Sequence, residues 1–133
     1  MDKAGAATPP KHLVLICDDD TAVRNSLKFA LELEGFEVRS YSGPGNLLNE
    51  DKLPDSSCLV VNYQMPEMNG LELVARLRDR RSSIPVILVT GHSNENLRKR
   101  AAAVGVTMVE KPFLGNRLIE CLRRAFDGKA STE

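Results

Sequence analysis

Long apolar stretches are missing from this chain: none approaches the ~18 to 20 consecutive residues that a membrane-spanning helix needs. The first eleven residues hold Pro9 and Pro10 but no apolar signal-peptide core, so a loose arm over 1–11 and a cytoplasmic protein are the expectation. Net charge is missing too. Eighteen basic residues balance 18 acidic ones, so no overall field draws the chain to nucleic acid or an acidic membrane, and only a local patch could do so. Cysteine is sparse and odd in number: Cys17, Cys58 and Cys121 cannot all pair within the chain. Their spacing makes neither a zinc nor a redox motif, and Cys17 and Cys58 fall in apolar strand patterns where a reduced thiol acts as a small hydrophobe. No internal repeat or long linker divides the 133 residues, a length that suits one domain burying roughly two thirds of the surface its unfolded chain exposes.

Strand signals are present at 12–17, 36–41, 57–61, 85–90 and 106–109, with helical patterns between them. That alternation predicts an α/β fold in which crossover helices connect a parallel sheet. Leu13 to Ile16 and Val86 to Val89 are unbroken apolar runs, which fit strands covered on both faces. The first helix is expected over 21–34, capped by Asp20 or Thr21, with Val23, Leu27, Ala30, Leu31 and Leu33 as its apolar stripe and Gly35 as a left-handed exit. A short second helix is expected over 44–50, weakened by Gly43 and Gly45. A third starts near Gly70 and carries Leu71, Val74 and Leu77. The fourth, over 94–104, has only Leu97, Ala101 and Val104 as a seam and should be the least firmly packed. The fifth, over 114–126, should bury Leu118, Ile119, Leu122 and Phe126. A domain over 12–127 with a tail over 128–133 follows.

In an open parallel sheet, ligands bind beyond the carboxyl ends of the strands, near the point where strand order reverses. That rule selects Asp18 and Asp19, Asn62, Thr90 and Lys111. Adjacent carboxylates suit a hard divalent ion such as magnesium, while a hydroxyl and an ammonium suit phosphate oxygens. Each also has an ordinary role taken alone: the acidic run as a helix cap, Thr90 opening the Gly91-His92-Ser93 turn, Lys111 as an exposed lysine, Asn62 bonding its own turn. Those separate roles leave their joint placement at four strand ends unexplained.

The segments that carry these residues, Leu15-Ile16-Cys17-Asp18-Asp19-Asp20, Asn62-Tyr63-Gln64-Met65-Pro66-Glu67-Met68-Asn69-Gly70, Leu88-Val89-Thr90-Gly91 and Glu110-Lys111-Pro112-Phe113, resemble the receiver domain of bacterial two-component response regulators. The resemblance covers about residues 11–127. It implies a flavodoxin-like (βα)5 fold, doubly wound, with a five-stranded parallel sheet in the order 2-1-3-4-5. It implies magnesium held directly by Asp19, largely through water by Asp18, and by the backbone oxygen of Gln64. Asn62 matches the phosphoaccepting aspartate and a metal ligand, Thr90 the switch hydroxyl, Lys111 the phosphate-contacting lysine, and Pro112 the proline that follows a cis peptide. Met108 stands where an aromatic switch residue is usual.

Asn62 is the departure that matters, because a neutral amide is a poor nucleophile and brings no negative charge to a metal site. The expected function is a receiver module in phosphorelay signalling that takes no phosphate at position 62 and binds magnesium weakly. Asn62 fits both a natural pseudo-receiver and a substitution in an otherwise active protein. The expected partners are a sensor histidine kinase or phosphotransfer protein, with a possible homodimer through the fourth helix, fifth strand and fifth helix and no direct nucleic-acid or membrane binding. Candidate contacts there are Arg98, Lys99, Arg100, Arg117, Arg123 and Arg124. The alternatives are a phosphorylation-independent adaptor and, with less support, a small phosphatase, which would need a carboxylate nucleophile and a second acid where Asn62 and Gln64 stand. His92 is expected in an exposed turn, and His12 opens a strand without an evident partner.

Overall fold

The computed structural model describes residues 11–111 and 116–130, so Pro112, the expected helix start at 114, and most of the expected arm lie outside the described residues. Five strands, β1 (Leu13–Cys17), β2 (Glu37–Tyr41), β3 (Ser57–Asn62), β4 (Val86–Thr90) and β5 (Thr107–Glu110), alternate with five helices. The helices are α1 (Thr21–Leu33), α2 (Pro44–Leu48), α3 (Gly70–Asp79), α4 (Glu95–Ala103) and α5 (Arg117–Ala130). The last helix continues past the expected end at 126, into the stretch read as a tail. All strand pairs are parallel and the sheet order is β2-β1-β3-β4-β5. This is the doubly wound arrangement, with β1 beside both β2 and β3.

Every residue of β1 and β4 is buried, as their unbroken apolar runs require. Alternate residues serve opposite faces of the sheet. Leu13, Leu15, Leu59, Val61 and Leu88 pack with Leu47 of α2, Leu73 and Leu77 of α3, and Leu97 of α4. Val14, Ile16, Cys58, Val60 and Val89 pack with Leu27 and Leu31 of α1 and Leu118 and Leu122 of α5. A fully buried leucine of this kind contributes about 1.5–3 kcal/mol relative to exposure.

Local chemistry sets the helix starts. Asp20 accepts the Val23 amide at 3.1 Å, Asn69 forms a reciprocal capping box with Glu72, and Asn94 accepts the Leu97 amide at 2.7 Å. Gly35, with φ of 97°, takes the chain out of α1. Three expected stripe residues face solvent, Ala30 and Leu33 of α1 and Val104 at the end of α4, and Val23 and Ile119 are only partly buried. Leu33 stands two residues from the buried Leu31, about half a turn around the helix, and so shares the outer face with the exposed Phe29. Among the described residues no helix is long and apolar enough to cross a membrane.

Candidate functional site

The register places the selected residues together. Cys17 pairs with Val61 and Asn62 with Val89, so Asp18, just past β1, comes level with Asn62, and Thr90 ends the adjoining strand. Asp18 is almost wholly buried. Its Oδ1 accepts the Asp20 amide at 2.9 Å and its Oδ2 lies 3.8 Å from Lys111 Nζ. Burial pushes the Asp18 carboxyl above its ordinary pKa, while the Asp20 amide and then Lys111 pull it down, and the acidic neighbours Asp19 and Asp20 push it up. Arg24 donates from Nη1 to the Asp18 carbonyl at 2.8 Å, a tie from α1 that its place in the helix sequence does not announce.

Asp19 is exposed and lines an open cavity of about 350 Å³ with Pro44, Asn46, Pro66 and Glu67. Asn62 is the last residue of β3, one position beyond the expected strand end. Its Nδ2 donates to the Gln64 carbonyl at 2.6 Å, the very oxygen expected to serve a metal. Thr90 is buried, donating from Oγ1 to the His92 carbonyl at 3.2 Å and accepting the His92 amide at 3.1 Å. The Lys111 amide donates to the Thr90 carbonyl at 2.7 Å, tying the end of β4 to the segment after β5.

Gly70 explains how α3 comes so close to this strand end. A Cβ there would lie 2.8 Å from the Asn62 carbonyl oxygen and 2.6 Å from Leu88 Cδ1. The sequence hint was a glycine at a first helical position, where it lowers helix propensity. Met108 is half-buried against the apolar cluster beneath α2, α3 and α4. Around α4, Arg98 donates to Ser93 Oγ at 3.0 Å, Ser93 donates to Glu110 Oε1 at 3.1 Å, and Arg100 reaches the Tyr63 hydroxyl at 3.4 Å. His92 is exposed, and His12 stacks on Phe126 with ring centroids 4.3 Å apart.

Magnesium, the ion the resemblance implies, is poorly matched by these groups as arranged. The Gln64 carbonyl is taken by the Asn62 amide, Asp18 faces Lys111, and of the expected ligands Asp19 alone offers an open carboxylate. Among the described residues no group of three or more His, Cys, Asp or Glu side chains is disposed to hold a metal ion.

Comparison with known proteins agrees with the architecture. The family described as Response regulator receiver domain matches residues 14–123. The transcriptional regulatory protein FixJ of Bradyrhizobium diazoefficiens is 36% identical over 115 residues, covering 84% of this chain and 55% of FixJ. The response regulator protein TodT of Pseudomonas putida is 31% identical over 114 residues, covering 85% of this chain and 50% of TodT. The chain therefore spans about half the length of the curated relatives it matches. The solved structure of FixJ-N superimposes with a TM-score of 0.79 at 34% identity, covering 90% of this chain and 96% of that one. A CheY-like receiver domain protein from Methanospirillum hungatei gives 0.83 at 27% identity, covering 93% and 100%. With the family match running from β1 into α5 on a sheet of the same strand order, the chain belongs to the response regulator receiver domain family of two-component signalling.

Proposed function

We propose that this receiver module, over residues 12–127, works through protein contact and takes no phosphate at position 62. The observation that carries this reading is Asn62 at the end of β3, with its carboxamide committed to the Gln64 carbonyl between Asp18 and Thr90. In the family that strand end bears the phosphoaccepting aspartate. A carboxamide has no anionic oxygen to attack phosphorus, so Asp18, Asp19, Thr90 and Lys111 remain as a site without its nucleophile. Met108 would lie on the path from Thr90 to the surface of α4 and β5.

The contact face proposed is α4, β5 and α5. Arg98, Lys99 and Arg100 on α4 and Arg117 and Arg124 on α5 are exposed there, a basic surface suited to an acidic patch on a sensor histidine kinase, a phosphotransfer protein or a second copy of the chain, whereas Arg123 pairs with Glu34 at the end of α1 at 3.1 Å and lies over the Phe36 ring. The exposed Lys99–Glu95 pair at 3.7 Å contributes only about 0–1 kcal/mol, so a partner can exchange it readily. The setting proposed is cytoplasmic, with no nucleic acid bound directly by this module. Competition for a kinase or regulator without phosphoryl transfer is the adaptor form of the same reading.

Intact-mass measurement after incubation with a small phosphodonor and magnesium tests the proposal. No phosphoryl group should be gained, and a magnesium-dependent gain that maps to Asn62 would overturn it. Asn62→Asp restores a carboxylate beside Asp18, Asp19, Thr90 and Lys111 and should restore the gain, with Lys111→Ala in that background suppressing it.

A further inference from the structure

We infer that Asn62 closes this site from within: its amide hydrogen takes the place at the Gln64 carbonyl that a cation would hold, so the loop from β3 to α3 keeps one arrangement with or without a divalent cation. The inference rests on the reading of Asn62 as the residue at the phosphoacceptor position. At 2.6 Å from a carbonyl oxygen only the NH2 end of the carboxamide is admissible, because two acceptors at that separation repel. The hydrogen bond therefore carries partial positive charge to the oxygen a metal would polarise.

The neighbouring groups are satisfied in the same manner. Lys111 supplies the positive charge beside Asp18, the Asp20 amide occupies the other Asp18 oxygen, and the Thr90 hydroxyl both donates to and accepts from His92. Among the described residues the one buried side-chain polar atom without a hydrogen bond is Ser82 Oγ, on the turn between α3 and β4, away from these strand ends. The loop has further anchors. The Tyr63 amide donates to Val89 and the Gly70 amide to Tyr63, both at 2.8 Å, and buried Met65 Sδ accepts from Cys17 Sγ at 3.9 Å. A magnesium ion seeking the Gln64 oxygen must break the Asn62 bond, displace Lys111 from Asp18 and shed water it holds tightly, and the loop gains no new order in return.

A carboxylate at position 62 reverses the situation. Its oxygen would face the Gln64 oxygen, two acceptors in contact, and the loop would then need a cation between them to hold its place. Cation dependence of this loop should thus be created by Asn62→Asp. Hydrogen exchange of the Gly70 amide, which closes the loop on Tyr63, reads this directly by NMR. In the unmodified chain magnesium should leave the Gly70 rate unchanged. In Asn62→Asp without magnesium the rate should rise roughly fivefold, the equivalent of one lost hydrogen bond, and return on adding the ion. Magnesium-slowed exchange in the unmodified chain, or an unchanged rate in magnesium-free Asn62→Asp, overturns the inference. Should the variant fail to fold, manganese added to the unmodified chain decides: amide signals of Gln64 and Met65 that broaden no more than those of Asp19 and Asp20 support closure, and broadening centred on Gln64 and Met65 overturns it. Intact mass of the same samples after phosphodonor treatment separates the two levels. A phosphoryl gain on the unmodified chain defeats the functional reading, whereas a magnesium-sensitive loop without that gain defeats only the closure.

Discussion

Replacing Gly70 by alanine sets two opposed effects against each other, and the geometry says which prevails. In an exposed helix the exchange stabilises by up to about 1 kcal/mol through backbone entropy. Here the new methyl would lie 2.6 Å from Leu88 Cδ1, 2.8 Å from the Asn62 oxygen and 3.2 Å from Tyr63 Cα. Leu88 is fully buried and has no room to swing, and the other two neighbours are backbone. Overpacking of this kind costs about 1–3 kcal/mol, and a backbone oxygen in the path puts the site at the upper end. The net loss is about 2 kcal/mol, which for a chain of this size lowers Tm by roughly 8 °C. Thermal unfolding followed by circular dichroism measures it, and the amide shifts of Asn62 and Tyr63 should move in the same variant. An unchanged or raised Tm would show that α3 does not press on β3 as described.

Other expectations follow from the charges and thiols. Lys111→Met removes one of the pulls on the Asp18 carboxyl and lets burial raise it further. A carboxyl whose folded pKa lies above its unfolded value favours the folded state as pH falls, so the variant should be about 1–2 kcal/mol less stable than its parent at pH 7, with the gap narrower at an acid pH where Asp18 takes up its proton. Urea midpoints at the two pH values check this, and a deficit independent of pH would remove Asp18 as its source. The Cys17 thiol is pushed up to about 12, first by burial and then by Asp18 and Asp19. In the native protein at about pH 9 it should resist iodoacetamide and react only on unfolding, as peptide mass spectrometry would reveal; native labelling at the rate of a free thiol would contradict its burial.

The sheet was readable because two of its strands, Leu13 to Ile16 and Val86 to Val89, are apolar without interruption, a pattern that has few other uses at that length. Helix faces were less readable. Leu33 looked like stripe because it is apolar, yet burial is a one-way rule and an exposed leucine violates nothing. Val104 fails for another reason: it is the residue at which α4 ends, so helical spacing no longer fixes its direction. At the site, the rule that ligands gather at carboxyl strand ends found Asp18, Asn62, Thr90 and Lys111. It did not find what each side chain holds. That Asn62 could bond its own turn was legible, but the choice of the Gln64 carbonyl depends on where the loop runs. The ties from Arg24 to Asp18 and from Arg100 to Tyr63 join elements distant in sequence and leave no local signal.

The strand order also governs what the ribosome releases and when. Once residue 62 has emerged, the free chain contains β2, β1 and β3, a complete half-sheet whose two neighbouring pairs need nothing that emerges later. β2 is an edge in the finished sheet as well, but β3 is an edge only for a time, and the unpaired backbone of Leu59 to Asn62 waits for the later arrival of Val86 to Val89. An apolar edge left open in that way templates pairing with other chains. Nascent-chain collisions should therefore be most damaging while residues 63–85 are emerging from the ribosome, and the polar, arginine-rich outer side of α3, the first helix to emerge after that edge, is well placed to keep neighbouring nascent chains apart.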